Sequence, residues 1–210
     1  LYRIQSKQVP GGADSEKLES FEIGIRGISI GGLEYEIVAY TMKKEDYFFR
    51  DSQGFNVENG VTKHNGIEFN YLKNFSDNFE ISGSLSFANH EYDFNHTPNK
   101  IVKGNTIDSA PKELANTRFT YIPEIGGKFE LEWIRVGNYP INESNAHNYE
   151  GHDIFNLRLK RDLISKTSIG FTVRNLTDER YATRADYAFG SYRYFVGNER
   201  EFYFSLEKEF

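Results

Sequence analysis

A period of two constrains this chain more than any other feature. From about residue 17 to the last position, segments alternate apolar and polar side chains and then turn, and nowhere is an apolar spacing of three and four sustained. Helix is thereby confined to short pieces inside loops. In the last segment Phe202, Phe204, Leu206 and Phe210 share one face, whereas Tyr203, Ser205, Glu207 and Glu209 share the other. The same division recurs over residues 66–71, 79–89, 128–134, 153–161 and 167–174. Two earlier strands, about 17–30 and 33–47, alternate less cleanly; a β-bulge near Gly27 would explain the first, and the second has no such explanation in the sequence.

The connections alternate too. Short ones fall at Gly31-Gly32, 75–78, 123–127 and 163–166; long polar ones fall at 49–60, 92–112, 138–152 and 176–199. Short turns on one rim and long loops on the other are the habit of an outer-membrane barrel. Nine strands are predicted, with residues 1–16 starting on the long-loop side and Phe210 ending on the short-turn side. Charge placement supports the same geometry. Lys73, Arg161 and Lys208 occupy the greasy face only near short-turn ends, and Asp153 only at the opposite rim. A basic residue there costs about 2–4 kcal/mol at the bilayer midplane and little near an interface.

Composition removes other classes. Among 210 residues there is no cysteine, which excludes disulfide scaffolds and thiolate metal, iron–sulfur or nucleophile sites. A mean hydropathy of −0.63 with no long apolar run excludes a transmembrane helix, though not a barrel. A net charge of −6 argues against a nucleic-acid partner. Phe and Tyr number 18 and 14, which favours pleated surfaces. Leu1 to Pro10 has no apolar core and so no signal peptide, and a start at Leu1 suits a mature product or a fragment.

The C-terminal residues carry a resemblance. Arg174-Asn175-Leu176-Thr177-Asp178-Glu179-Arg180-Tyr181, followed by Gly197-Asn198-Glu199-Arg200-Glu201-Phe202 and a final Phe210, is similar to the end of a TonB-dependent outer-membrane receptor. Upstream, Ser15-Glu16-Lys17-Leu18-Glu19-Ser20-Phe21-Glu22-Ile23-Gly24 resembles another of the family's strands, with Ser15 where Pro is usual. Asn65-Gly66-Ile67-Glu68 and Ser109-Ala110-Pro111 match two further strand boundaries in order. The resemblance implies an all-β transmembrane antiparallel barrel of 22 strands around a plug. Residues 1–210 would be its last nine strands, without the plug or the earlier strands. It also implies TonB-energised uptake of a chelated nutrient, foremost a ferric siderophore, with TonB acting through the absent plug. Phe210 would be the signal read by the barrel-assembly machinery, and lipid would bathe the outer face. Two alternatives stay open at this point: a small stand-alone outer-membrane barrel (adhesin, pore or enzyme), and a soluble β-sandwich binding module.

Neither catalytic residues, nor a metal site, nor a cofactor is expected. His64, His90, His96, His147 and His152 lie mostly at loops or rims, and no His-x-x-x-His or carboxylate partner shares a face with them at ligand spacing. Glu68, Glu80, Glu130, Glu132 and Glu207 read as a polar lumen wall, not as acid–base pairs. Ligand contact is assigned to the last loop. Ferric siderophores are often anionic and carry flat rings, so Arg184 and Arg193 offer forked hydrogen bonds while Tyr187, Phe189, Tyr192 and Tyr194 offer stacking faces. Tyr92, Phe94, Tyr139 and Tyr149 on two other loops are further aromatic candidates, of which Tyr92 and Tyr139, near strand ends, are assigned to an interfacial aromatic girdle.

Overall fold

The structure, a computed structural model, describes residues 15–50, 56–164 and 166–209. In chain order its strands are β1 Lys17–Ile28, β2 Leu33–Arg50, β3 Asn56–Ser76, β4 Phe79–Tyr92, β5 Glu113–Tyr121 and β6 Lys128–Val136. There follow β7 Tyr139–Pro140, β8 Asn148–Tyr149, β9 His152–Leu163, β10 Thr167–Arg174, β11 Ala182–Ala188, β12 Ser191–Val196 and β13 Glu201–Lys208. Nine of these form one sheet in the order β1-β2-β3-β4-β5-β6-β9-β10-β13, every neighbour antiparallel. The pairs β7–β8 and β11–β12 are small hairpins carried within two of the long connections. One 3₁₀ turn, Thr97–Asn99, is the only helical element among the described residues.

Register keeps each kind of side chain on its own face. One row aligns Ile81, Phe119, Leu131, Leu157, Val173 and Phe202 across six strands. The row beside it on the opposite face aligns Ser82, Arg118, Glu132 and Asn156. Among the described residues no second sheet covers the apolar face, and Ile23 and Phe204 are 66% and 73% exposed. That excludes the β-sandwich, whose apolar face is by construction its interior. β1 and β13 lie at opposite edges of the sheet and do not pair, so these strands do not close into a small barrel by themselves. Backbone groups cannot be left unpaired in lipid, and both edges therefore require further strands.

The rims follow the expected asymmetry. The short connections span 29–32, 77–78, 122–127 and 164–166, opposite long ones at 93–112, 137–151 and 175–200. The connection expected over 49–60 is narrower, because β2 runs on to Arg50 and β3 resumes at Asn56. No bulge occurs at Gly27: β1 pairs with β2 without a shift from Lys17 to Ile28. The irregularity lies in β2, where the register shifts between Lys44 and Tyr47 and Asp46 takes a left-handed φ of 55°. The three basic residues of the greasy face behave as rim residues should. Lys73 reaches the Gly31 carbonyl, Arg161 donates to the Gly126 carbonyl at 3.2 Å, and Lys208 also has a partner. Residues 1–14 and Phe210 lie outside the described residues, and with them the starting rim and the assembly signal.

The compact apolar core is not in the sheet. It comprises Tyr139, Ile141, Ala182 and Ala185, packed against Val136, Tyr149 and Tyr187, and so joins two long loops above the wall.

Candidate functional site

On the polar face the carboxylates are paired within the wall. Arg158 donates to Glu130 Oε1 at 2.7 Å and to Glu132 Oε2 at 2.8 Å, and Arg118 reaches Glu132 Oε1 at 3.2 Å. Lys128 takes Glu130 Oε2 at 2.7 Å, while Asn116 and Asn156 donate to Glu132 at 3.1 and 3.0 Å. Both carboxylates are thereby tied into a network of cationic and amide donors that links β5, β6 and β9. This face is a charged wall, as the sequence suggests.

The long-loop rim is where a site is built. Loops 93–112 and 137–151 are locked by a reciprocal pair: Thr106 N–H donates to Asn145 Oδ1 at 2.8 Å, and Asn145 Nδ2 donates to the Thr106 carbonyl at 2.7 Å. Ser109 N–H donates to the Pro140 carbonyl at 2.9 Å. The 175–200 loop joins them through Tyr187 N–H to the Ile141 carbonyl, 2.8 Å, and Ala185 N–H to the Tyr139 hydroxyl, 3.2 Å. Ala182 and Ala185 are small enough for β11 to lie close on Tyr139 and Ile141. Three loops thus form one packed body. Tyr92 and Tyr139 belong to it and not to a membrane girdle: both are buried, with Tyr92 donating to Asp108 Oδ1 at 2.6 Å. A strand-end position marked them as girdle residues, but the loops fold back over both.

The residues assigned to ligand contact lie in the β11–β12 hairpin, whose two faces separate them. On one face Tyr187 stacks on His147 at 3.8 Å between ring centres, and Tyr192 shares a 2.8 Å hydrogen bond with His147 Nδ1. From there rings run onward from Tyr192 to Tyr194 (6.3 Å), Tyr149 (6.5 Å), His152 (5.9 Å) and Tyr181 (4.7 Å). On the other face Arg184 and Arg193 both bind one buried carboxylate, Asp186, at 3.1 and 2.5 Å. Phe189 sits at the hairpin tip, 5.9 Å from the Arg193 guanidinium. The tyrosines are therefore brought together, and the arginines stand apart with their donors partly used.

His147, His152 and Tyr181 join the aromatic strip from outside the expected set, together with Tyr149, a loop candidate from the sequence. Their aromatic character was visible in sequence, but the contact across loops was not. Burial pushes the Tyr139 and Tyr149 phenols above their ordinary range, so both stay protonated and act as hydrogen-bonding hubs. Tyr149 Oη accepts the Ala182 N–H at 3.0 Å and is bonded to His152 Nδ1 at 2.8 Å. A cleft of about 460 Å³ opens between the three loops, lined among others by Asn99, Lys100, Asn142, His147, Tyr187 and Phe189. That volume lies within the range of small-molecule sites.

Residues 2–176 match a family model described as TonB dependent receptor-like, beta-barrel. The chain belongs to the TonB-dependent receptors. It is thus part of the wall of an outer-membrane barrel. It is 25% identical over 201 residues to the ferrichrome outer membrane transporter/phage receptor of Escherichia coli (strain K12), covering 88% of this chain and 25% of that protein. The ferric citrate transporter FecA in its unliganded form superposes with a TM-score of 0.75 at 19% identity, over 91% of this chain and 31% of FecA. The siderophore receptor PiuA from Acinetobacter baumannii gives 0.75 at 16% identity, over 90% and 28%. These likenesses of shape agree with a receptor-barrel fold. The chain spans between a quarter and a third of the length of each of these relatives.

The C-terminal motif residues converge in this receptor barrel. Asn175, buried and left-handed at φ 51°, takes Asn156 Oδ1 through its main-chain N–H at 3.0 Å. Its amide group donates to the carbonyls of Glu179 and Asn198 at 2.9 and 3.1 Å, and its Oδ1 accepts the Glu179 N–H at 2.8 Å. The start and the end of the 175–200 loop are thereby tied to each other and to the wall.

Proposed function

We propose that this chain is the C-terminal nine-stranded part of the wall of a receptor that takes up a ferric siderophore, with TonB engaging a plug encoded upstream. In this reading the interlocked loops are the extracellular mouth, Phe210 is read by the barrel-assembly machinery, and the segment binds and gates without catalysing a reaction. The observation that carries the ligand class is the continuous aromatic strip from His147 to Tyr181 at that mouth, beside a cleft of about 460 Å³. Flat catecholate or aryl-capped chelates stack on such rings, and phenol and imidazole groups hydrogen-bond their rim oxygens. The ferrichrome and ferric citrate transporters among its relatives give the chelate class further support.

The test is uptake of radiolabelled iron by a strain lacking the gene, supplied in turn with catecholate, hydroxamate and citrate chelates. Complementation should restore uptake of one class only, and expression should rise on iron starvation. Unchanged expression together with unchanged uptake of every chelate would remove the siderophore reading while leaving the barrel assignment standing.

A further inference from the structure

Charge on the lipid face is compensated differently at the two rims. Toward the long loops its cations have carboxylate partners: Lys17 with Asp46 at 3.2 Å, Lys43 with Glu45 at 2.5 Å, Lys63 with Asp93 at 2.7 Å, and Arg135 with Glu113 and Asp153 at 3.1 and 3.0 Å. Toward the short turns Lys73 and Arg161 donate instead to main-chain carbonyls, those of Gly31 and Gly126, and among the described residues no ion pair reaches either. A carbonyl binds a cation without cancelling its charge. Register also places no Asp or Glu on the lipid side of the paired strand ends at this rim. We propose that the short-turn rim is a binding surface for an anionic glycerophospholipid, with Lys73 and Arg161 as its phosphate contacts, independent of the siderophore reading.

Depth and sign carry the assignment. Both side chains run from the last apolar rows of the sheet toward the turns, so their charged heads lie level with Gly31 and Gly126. The turns at that level are apolar. Ile30, Phe75, Ile125 and Ile164 stand in or beside the four of them, and the least exposed, Phe75, is 66% accessible. Apolar side chains exposed at every turn are unfavourable in water and favourable among glycerol and acyl groups, so this rim sits inside a headgroup layer. In the orientation proposed above that layer is the periplasmic leaflet. A zwitterionic headgroup would bring an ammonium beside its phosphate, and the lipid side of this rim has no carboxylate to receive it. A lipid whose headgroup carries only phosphate charge meets two cations without opposition. Arg161 keeps the rest of its guanidinium for a forked phosphate contact, and Lys73 acts as a point charge. The Phe75 ring, 5.9 Å from the Lys73 ammonium, offers the adjoining glycerol an apolar surface. Lys208, the third cation of this rim, has a partner of its own.

The experiment is native mass spectrometry of the full receptor in detergent, titrated separately with dioleoyl-phosphatidylglycerol and dioleoyl-phosphatidylethanolamine. The expected result is tighter retention of phosphatidylglycerol. Lys73→Gln and Arg161→Gln should each weaken it by about fivefold, and Lys43→Gln, at the far rim, should leave it unchanged. Excess glycerol 3-phosphate should not displace the lipid, because a soluble phosphate gains nothing from the apolar turns. Heat-modifiable migration reports whether each variant has folded. Should a variant fail to fold, a diazirine-bearing phosphatidylglycerol crosslinked to the unaltered receptor decides the matter alone: peptides holding residues 30–33, 73–79, 122–128 and 161–166 should be labelled ahead of the long-loop ends of the same strands. Equal retention of the two lipids, displacement by glycerol 3-phosphate, full retention by a folded Lys73→Gln/Arg161→Gln double variant, or crosslinks spread evenly between the rims would each overturn the surface. None of these outcomes bears on iron uptake.

Discussion

The main-chain N–H of Arg200 donates to Asp178 Oδ1 at 2.9 Å, joining the two ends of a long rim loop across 22 residues of chain. The Arg200 guanidinium returns to the Leu176 carbonyl at 3.3 Å. Asp178 itself sits at φ 58°, a left-handed conformation that Asp tolerates better than most residues. The motif residues before and after the loop are thus one hydrogen-bonded knot. They are spaced in sequence by whatever the loop carries and are adjacent in space because β10 pairs with β13. The loop can vary in content while its base stays fixed, which is what a binding loop on a rigid wall requires.

Asn175→Ala tests the knot. The side chain serves two carbonyls and one N–H, and removing it leaves these groups unpaired at a buried position at a cost of about 1–3 kcal/mol. Amide hydrogen exchange over 176–199 should quicken while β6 and β9 keep their protection. Uniform exchange across loop and wall would mean that the loop is held elsewhere.

Gly197→Ala tests the same region sterically. A Cβ at position 197 falls within the Tyr181 ring, whose backbone carbonyl also accepts the Gly197 N–H at 2.9 Å. The ring is further pinned at 4.7 Å against His152, so relief requires the strip to shift. The variant should lose ligand affinity and loop protection together. Adding Tyr181→Ala should recover loop protection but not affinity, and failure of that rescue would place the damage in the backbone.

What the sequence made legible follows from range. Wall strands and their faces depend on neighbours two residues apart, so Phe202, Phe204 and Leu206 declare a face by themselves. Loop lengths are equally local. Contacts set by register are not: His64 and His90 are 26 residues apart, and only the alignment of β3 with β4 makes them partners. The division of Arg193 from Tyr192 likewise depends on a hairpin that the polar composition of 176–199 hides. Tyr139 was misplaced for the converse reason, since strand-end position suggests an interface but a loop core buries it.

Tyr192→Ala removes a ring that touches His147, Tyr187 and Tyr194, and should weaken chelate binding by about 0.5–1.5 kcal/mol, roughly twofold to tenfold in Kd. Arg193→Ala should weaken it less, because its guanidinium is engaged with Asp186 on the opposite face. Equilibrium binding of the chelate identified by uptake reads both, and the reverse order would show that the arginine face meets the ligand.

A pH dependence arises at Asp93, just beyond β4, where Lys63 and Lys103 each approach at 2.7 Å. The hydrogen bond from Lys103, then that from Lys63, holds its carboxyl below the usual carboxylate range. A carboxyl depressed in the folded state stabilises above its unfolded value of about 3.9, and that contribution is lost as pH falls through the folded value. The 93–112 loop should therefore loosen in acid well below neutrality and be unchanged between mildly acidic and neutral pH. Asp93→Asn at neutral pH should reproduce the acid state in hydrogen exchange, and an unaltered loop would show the clamp to be dispensable.

Leu85 and Ser84 offer the sharpest test of the geometry, since adjacent residues on β4 face opposite media. Leu85 lies in register with Phe69 and Ala115 on the lipid face, and Ser84 with Asn70 and Asn116 on the lumen face. Leu85→Arg places a guanidinium among acyl chains and should cost about 2–4 kcal/mol toward the bilayer centre. Ser84→Arg meets a polar wall and should leave the fraction of heat-modifiable barrel in the outer membrane close to that of the unaltered receptor. Equal loss at both positions would contradict a membrane wall, and loss at Ser84 alone would reverse its two faces.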